Sequence, residues 1–196
     1  NYDEAATYPD SYVRIVRGDL TMLPNQANIR CVAQVEILKS DGSALNSVTT
    51  PAANSVARSK HAVLFNGQPT ALEAYNIDGS NYVKLRDIAA LLNGTNSQFS
   101  VSFDPGNRVM LTMTGQAYTP VGGELTLGKD KSATCAVSSW TLQVNGAASP
   151  AYVYNIGGNN FFKLRELGKA LGFAVTYDPE SDSAVITSAG YQLLEI

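Results

Sequence analysis

The stretch YNIDGSNYVKLRDIA at residues 75–89 recurs as YNIGGNNFFKLRELG at residues 154–168. When residues 66–92 are set against residues 145–171 at a constant offset of 79, eleven of the 27 aligned positions are identical. The first copy then carries five extra residues within 93–98, after which FSVSFDP at 99–105 matches FAVTYDP at 173–179. Such a repeat indicates a duplicated structural unit, and the insertion predicts a loop.

Turn residues and hydrophobic periodicity predict the same elements in both copies. Asn66-Gly67 favours a tight hairpin, and a second turn is expected at Asp78-Gly79, with its counterpart at Gly157-Gly158. A helix should follow each second hairpin, because apolar residues recur there at i, i+3, i+4 and i+7. These residues are Leu85, Ile88, Ala89 and Leu92 in the first copy and Leu164, Leu167, Gly168 and Leu171 in the second.

The expected fold class is therefore α+β, with two tandem β-β-α-β-β repeats behind a β-rich N-terminal segment. The predicted boundaries are 1–60 for that segment and its linker, 61–115 for the first repeat, 116–140 for a connection and 141–196 for the second repeat. Strands are expected at 12–17 and 30–39. A repeat of about 50 residues rarely has a core large enough to be stable alone, so we expect the copies to pack on each other, on the N-terminal segment or on neighbouring domains.

Composition narrows the classes of partner. The chain is 44% hydrophobic and 16% charged, so it can build a packed core. Its net charge of -3 and its pI near 5.1 lack the basic surface typical of nucleic-acid binding. The longest apolar run, residues 88–92, is far below the ~20 residues that span a bilayer, so no transmembrane segment is expected.

The two cysteines, Cys31 and Cys135, are too far apart for a CxxC redox or zinc motif. In a secreted protein they could pair in a disulfide, which would stabilise the fold by constraining the unfolded chain. Two independent buried thiols are the alternative.

The repeated phrase, together with the D-P turns after it, resembles the copper amine oxidase N-terminal-like domain family, also called the stalk domain. The resemblance covers residues 62–115 and 141–190, and the linker YTPVGGEL at 118–125 is similar to connections between tandem copies in secreted proteins of Gram-positive bacteria. It implies an extracellular or envelope-associated module joined to other domains. It also implies no copper or other cofactor, because the family's domain is not the copper-bearing catalytic part.

Two repeated cation pairs are the most distinctive polar feature. Lys84 and Arg86 in the first copy, and Lys163 and Arg165 in the second, lie where a predicted strand meets its helix. They could contact an anionic wall polymer, although a solvated surface or ion pairs with nearby acids would also explain them. Sugar rings could stack on the aromatic residues outside the predicted core, which are Trp140, Tyr118, Tyr152 and Tyr191.

Catalysis is not expected from this sequence. His61 is the single histidine and is predicted to be an exposed linker residue. Acids that occur in both copies fit a helix first turn (Asp87, Glu166) or a β-turn corner (Asp104, Asp178) better than glycoside hydrolysis. The run Asp178, Glu180 and Asp182 departs from a calcium-loop pattern.

The leading functional hypothesis is thus a non-catalytic structural or attachment module of a larger surface or secreted bacterial protein, joined to other domains or envelope proteins. A module that binds cell-wall glycan or anionic polymer is one alternative. An accessory or inhibitory domain of an enzyme is another.

Overall fold

The computed structural model describes residues 11–22, 29–39 and 50–189, and the chain divides into two units, 1–47 and 48–196. In the first unit, β1 (Ser11–Met22) and β2 (Ile29–Lys39) form an antiparallel hairpin whose register shifts between Ile15 and Arg17. The two strands expected in this segment lie within β1 and β2.

The second unit contains both copies of the repeat. The first copy comprises β3 (Val56–Arg58), β4 (Ala62–Phe65), β5 (Gln68–Thr70), β6 (Ala74–Ile77), β7 (Ser80–Lys84), α1 (Leu85–Leu92), β8 (Phe99–Asp104) and β9 (Val109–Thr114). The second copy comprises β10 (Ala136–Val137), β11 (Thr141–Val144), β12 (Ala147–Ser149), β13 (Val153–Ile156), β14 (Asn159–Lys163), α2 (Leu164–Leu171), β15 (Ala174–Asp178) and β16 (Ser183–Thr187). A short 3₁₀ turn, Ser132–Thr134, precedes β10.

The predicted fold class is wrong. The protein is mostly β, with about 42% of its residues in strands, and the described residues contain only two α-helices of eight residues each. Its strands do not form two tandem β-β-α-β-β repeats, because every sheet of the second unit contains strands from both copies. The prediction failed because strands of one copy form backbone hydrogen bonds with strands of the other, so neither copy forms its sheets alone.

The sheets show how the copies interlock. A six-stranded antiparallel sheet has the order β10-β13-β14-β7-β6-β3, so β7 and β14 join the two copies at its centre. Two four-stranded sheets have the orders β12-β11-β9-β8 and β15-β16-β4-β5. In each of these a hairpin of one copy pairs in parallel with a hairpin of the other, through β9–β11 and β16–β4.

The central strand pair relates the copies by an approximate twofold axis. Val83 pairs with Phe162, which is its own counterpart at the offset of 79. The two flanking pairs are Tyr82 with Lys163 and Lys84 with Phe161. The offset of 79 converts one of these pairs into the other, because Phe161 is the counterpart of Tyr82 and Lys163 is the counterpart of Lys84. The two halves of the sheet are therefore arranged about the Val83–Phe162 pair.

The repeated phrase builds the turns and one of the two cores. Asn76 and Asn155 each accept a hydrogen bond from a backbone N–H of their own turn, that of Gly79 at 3.1 Å and that of Gly158 at 3.2 Å. On one face of the central sheet, the Tyr75 ring meets Phe161 edge to face at 5.1 Å. The residues of the repeated phrase thus form the turns and pack in the interior between the copies.

Two hydrophobic cores lie on opposite faces of the central sheet, because neighbouring strand residues alternate between faces. The smaller consists of Tyr75, Ile77, Tyr82, Tyr154, Ile156 and Phe161. The larger contains the buried faces of both helices, including Ile88, Leu92 and Leu167. Each helix spans the residues whose spacing predicted it, and the predicted apolar faces are buried.

Strands β3 and β10 precede the repeated sequence in their copies and belong to the six-stranded sheet. Ser59 donates a side-chain hydrogen bond to Asn81 at 3.2 Å, and Ser138 makes the equivalent bond to Asn160 at 2.8 Å. The duplication therefore extends upstream of the sequence repeat, into strands β3 and β10. Within the described ranges, none of the helices has the length and apolar character needed to cross a membrane.

Candidate functional site

Two clefts occupy equivalent places in the second unit. Each lies between the strand-to-helix junction of one copy and the second hairpin turn of the other. The first cleft, of about 450 Å³, is lined by residues 84–87 of the first copy and by Asn155 and residues 158–160 of the second. The second cleft, of about 400 Å³, is lined by residues 163–166 and by Asn76 and residues 79–81. Both volumes are in the range of small-ligand sites.

An aromatic pair lies in the first cleft. Trp140, just before β11, is half-buried, and its ring meets Phe103 of β8 edge to face at 6.1 Å. Phe103 is 43% exposed. The guanidinium of Arg86 lies 5.7 Å from the centre of the Phe103 ring. Arg86 and Trp140, two of the predicted contact residues, are thus brought together around a third residue, Phe103.

Lys84 is held by two acids. Its Nζ lies 3.1 Å from Glu73 Oε2 and 3.2 Å from Asp87 Oδ2, and its side chain is only 15% exposed. Burial alone would lower the pKa of Lys84, but its contacts with Glu73 and Asp87 raise it. The positive charge is therefore balanced within the protein, which favours the ion-pair interpretation of this residue.

Two carboxylates face the first cleft, and both have structural contacts. Asp87 is buried, and burial raises its pKa. Asp87 Oδ1 accepts from the Leu125 N–H at 3.3 Å, whereas Oδ2 has no well-aligned hydrogen-bond donor among the described residues, so its contact with Lys84 is ionic. Glu124 accepts from the Tyr118 hydroxyl at 2.7 Å and from two backbone N–H groups, and these bonds lower its pKa to about 2.

The second cleft has a histidine where the first has a tryptophan. His61 Nδ1 lies 2.7 Å from Asp182 Oδ1, and the Tyr177 hydroxyl donates to the same oxygen at 2.6 Å. These contacts, that of Tyr177 first, lower the pKa of Asp182. His61 lies immediately before β4, is half-buried and lines the second cleft. It was expected to be an exposed linker residue.

The cations of the second cleft are less restrained than Lys84. Lys163 Nζ lies 3.8 Å from Glu166 Oε1 and 6.0 Å from the Tyr152 ring, and its side chain is 31% exposed. Arg165 and Lys169 line the same cleft and are exposed. Neither Arg165 nor Lys169 forms an ion pair with a carboxylate among the described residues.

The remaining candidates lie outside the clefts. Tyr118 is buried, so its prediction as a surface residue is wrong: its N–H and C=O bond the Asn93 side chain, and its ring packs in the larger core. Asp104 and Asp178 accept hydrogen bonds within their own turns, as predicted. Tyr191 lies outside the described residues.

Cys135 is a half-buried thiol beside the smaller core. Burial raises the pKa of this thiol. The side chain of Cys31 lies outside the described residues, so the disulfide stays a prediction. Within the described part of the chain, no cluster of three or more metal-ligating side chains occurs.

Sequence reasoning missed Phe103, Tyr177, Lys169 and the paired asparagine turns as cleft residues. A signal was present, because extending the 79-residue offset upstream pairs His61 with Trp140. The offset of 74 that relates the later strands pairs Phe103 with Tyr177. The sequence could not show, however, that the turn of one copy lies opposite the helix of the other, because this arrangement depends on the pairing of β7 with β14.

Comparisons of the chain with protein-family models, with curated proteins and with solved structures found no match.

Proposed function

We propose that this chain is a non-catalytic module that attaches a larger bacterial surface or secreted protein to a cell-wall glycan, with the sugar bound in the first cleft. The observation that carries the proposal is the aromatic pair of Phe103 and Trp140, which remains partly exposed in a cleft lined otherwise by polar side chains, glycines and the buried Leu85 and Met110. The apolar C–H face of a pyranose ring can pack on such a surface and bury it from water.

Polar groups around the pair suit sugar hydroxyls. Asn159 offers an amide group from the opposite copy, and Arg86 offers charged donors. An aromatic platform with a few convergent polar groups is the general composition of a small-molecule site.

The two acids of this cleft favour binding over hydrolysis. Glycoside hydrolysis normally needs one carboxyl group that can give up a proton and a second carboxylate that acts as a base or nucleophile. Glu124 is a poor proton donor, because its hydrogen bonds keep it ionised down to about pH 2. Asp87 has a raised pKa, but it is buried and its two oxygens contact Lys84 and the Leu125 N–H, so its carboxyl group is not free to protonate a glycosidic oxygen. The extracellular location and the attachment role rest on the stalk-domain resemblance.

The test is retention on purified cell-wall sacculi, with Phe103→Ala compared with Met113→Ala. Both side chains are 43% exposed, and they lie on the neighbouring strands β8 and β9, but Met113 does not line either cleft. We expect Phe103→Ala to weaken retention roughly fivefold to tenfold, since a stacked aromatic contributes about 1 kcal/mol or more.

Met113→Ala should bind as the parent protein does. Thermal unfolding of both variants controls for loss of fold. Equal retention of all three proteins, or equal loss in both variants, would exclude the first cleft as the glycan site.

A further inference from the structure

The second cleft differs from the first in charge, although the two are equivalent in position. Two cations and two carboxylates line the first cleft, and one of those cations, Lys84, is balanced by Glu73 and Asp87. Lys163, Arg165 and Lys169 line the second cleft against a single carboxylate, Glu166. With His61 counted as neutral, the described lining of the second cleft has an excess of positive charge.

Two substitutions between the copies produce this difference. Glu73, which pairs with Lys84, is replaced by Tyr152, so Lys163 loses the closer of its two acids. Ala90 is replaced by Lys169, which adds a cation one helical turn beyond Arg165. Lys169 and Arg165 therefore lie on the same side of α2, and both line the cleft.

Neutral donors lie opposite these cations. The carbonyl oxygen of the Asn81 side chain accepts from Ser59 and from Asn76, which leaves donor capacity on its own amide nitrogen. Cations from one copy and hydrogen-bonding groups from the other thus converge on one space.

We infer that the second cleft binds an oxyanion group, either phosphate or carboxylate, through Arg165, Lys169 and Lys163. A guanidinium can bind either group through two parallel hydrogen bonds, and the lysines add point charges. This inference rests on the proposed function in one respect: the anionic group would be a substituent of the glycan whose sugar occupies the first cleft. The first cleft would then bind the sugar ring of the glycan, and the second would bind its charged group.

The experiment titrates the full chain with inorganic phosphate, and separately with acetate, at constant ionic strength, and follows backbone amide NMR shifts. Saturable shifts at Gly79, Ser80 and the start of α2 are expected with at least one of the two anions. Phosphate alone, or acetate alone, would identify the preferred oxyanion. Arg165→Gln with Lys169→Gln should weaken this binding by roughly fivefold or more, given that exposed charge contacts each contribute up to about 1 kcal/mol.

Arg108→Gln is the matched control, because Arg108 is an exposed arginine that lines neither cleft. It should leave phosphate and acetate binding unchanged. Shifts that do not saturate, shifts spread over unrelated lysines, or equal weakening by Arg108→Gln would overturn the inference.

The two proposals fail separately. If Phe103→Ala weakens retention on sacculi but neither anion perturbs the second cleft, the anion site is wrong and the glycan site stands. If an anion binds the second cleft but Phe103→Ala has no effect on retention, the anion site stands and the glycan site is wrong.

Discussion

Glu73 and Tyr152 occupy equivalent positions in the two copies, yet they give the adjacent lysines different roles. Lys84 lies between two acids and is largely buried, whereas Lys163 lies beside a ring and a more distant Glu166. The sequence identified both lysines as a repeated feature. It could not show that one of them is neutralised, because Glu73 lies eleven residues before Lys84 and its approach depends on the pairing of β6 with β7.

Lys84→Met should lower the free energy of unfolding by about 2–4 kcal/mol, because it leaves the carboxylates of Glu73 and Asp87 buried without their cation. Lys163→Met, the matched control, should cost less than about 1 kcal/mol, since that pair is longer and more exposed. Urea denaturation at pH 7 measures both. Similar losses in the two variants would contradict the assigned role of Lys84.

The loss in Lys84→Met should also depend on pH. Burial raises the pKa of Asp87 above its ordinary value of 3.8, so the folded protein holds that proton more tightly than the unfolded chain does. Stability from this group is therefore present at low pH and is lost as pH rises above 3.8 through the folded-state pKa. Removal of Lys84 should raise the pKa of Asp87 further, so the variant should lose more stability than the parent protein over that rise.

The turns and helices predicted from the sequence are formed mainly by interactions between residues close together in the chain. The turn at Asn66-Gly67 has positive φ at both residues, and α1 and α2 bury the faces that their periodicity indicated. Each of these features depends on neighbours within a few residues. The loop at 93–98 is different, because its position was predictable from the five-residue insertion but its contacts were not.

Ser97 in that loop connects the copies. It is buried, its hydroxyl donates to the Gly172 carbonyl at 2.8 Å, and it accepts from the Ala189 N–H at 2.8 Å. Ser97→Ala should lower the free energy of unfolding by about 1–2 kcal/mol, because two backbone groups lose their partner. Ser100→Ala, which removes one longer bond to Gln116 near the surface, is the control and should have little effect. A chemical denaturation series that ranks the two serines in the opposite order would contradict this assignment.

For the whole molecule, the sequence did not determine which copy each strand would pair with. The apolar pattern of β4 is satisfied equally by a strand of its own copy or by the equivalent strand of the other copy. In the structure β4 pairs with β16 and β9 pairs with β11, so the prediction of separate tandem units was wrong. Among the predictions of how the copies are arranged, the expectation that they pack on each other agrees with the structure.

Fragments cut between the copies should therefore fail to fold separately. Residues 48–115 alone would lack the partners of β4, β7 and β9, together with half of the smaller core. We expect neither this fragment nor residues 116–196 to show a cooperative unfolding transition, and we expect an equimolar mixture to regain one. Circular dichroism and thermal denaturation follow the outcome. Cooperative unfolding of either fragment as a monomer would contradict the interlocked fold.

The parallel pairing of β4 with β16 also has a mechanical consequence. Tension applied to the chain ahead of β4 and beyond β16 would pull these adjacent strands in opposite directions along their length. The bonds between Ala62–Phe65 and Ser183–Ile186 would then be loaded together in shear rather than opened one at a time. Such a geometry resists extension, which would suit the proposed attachment role.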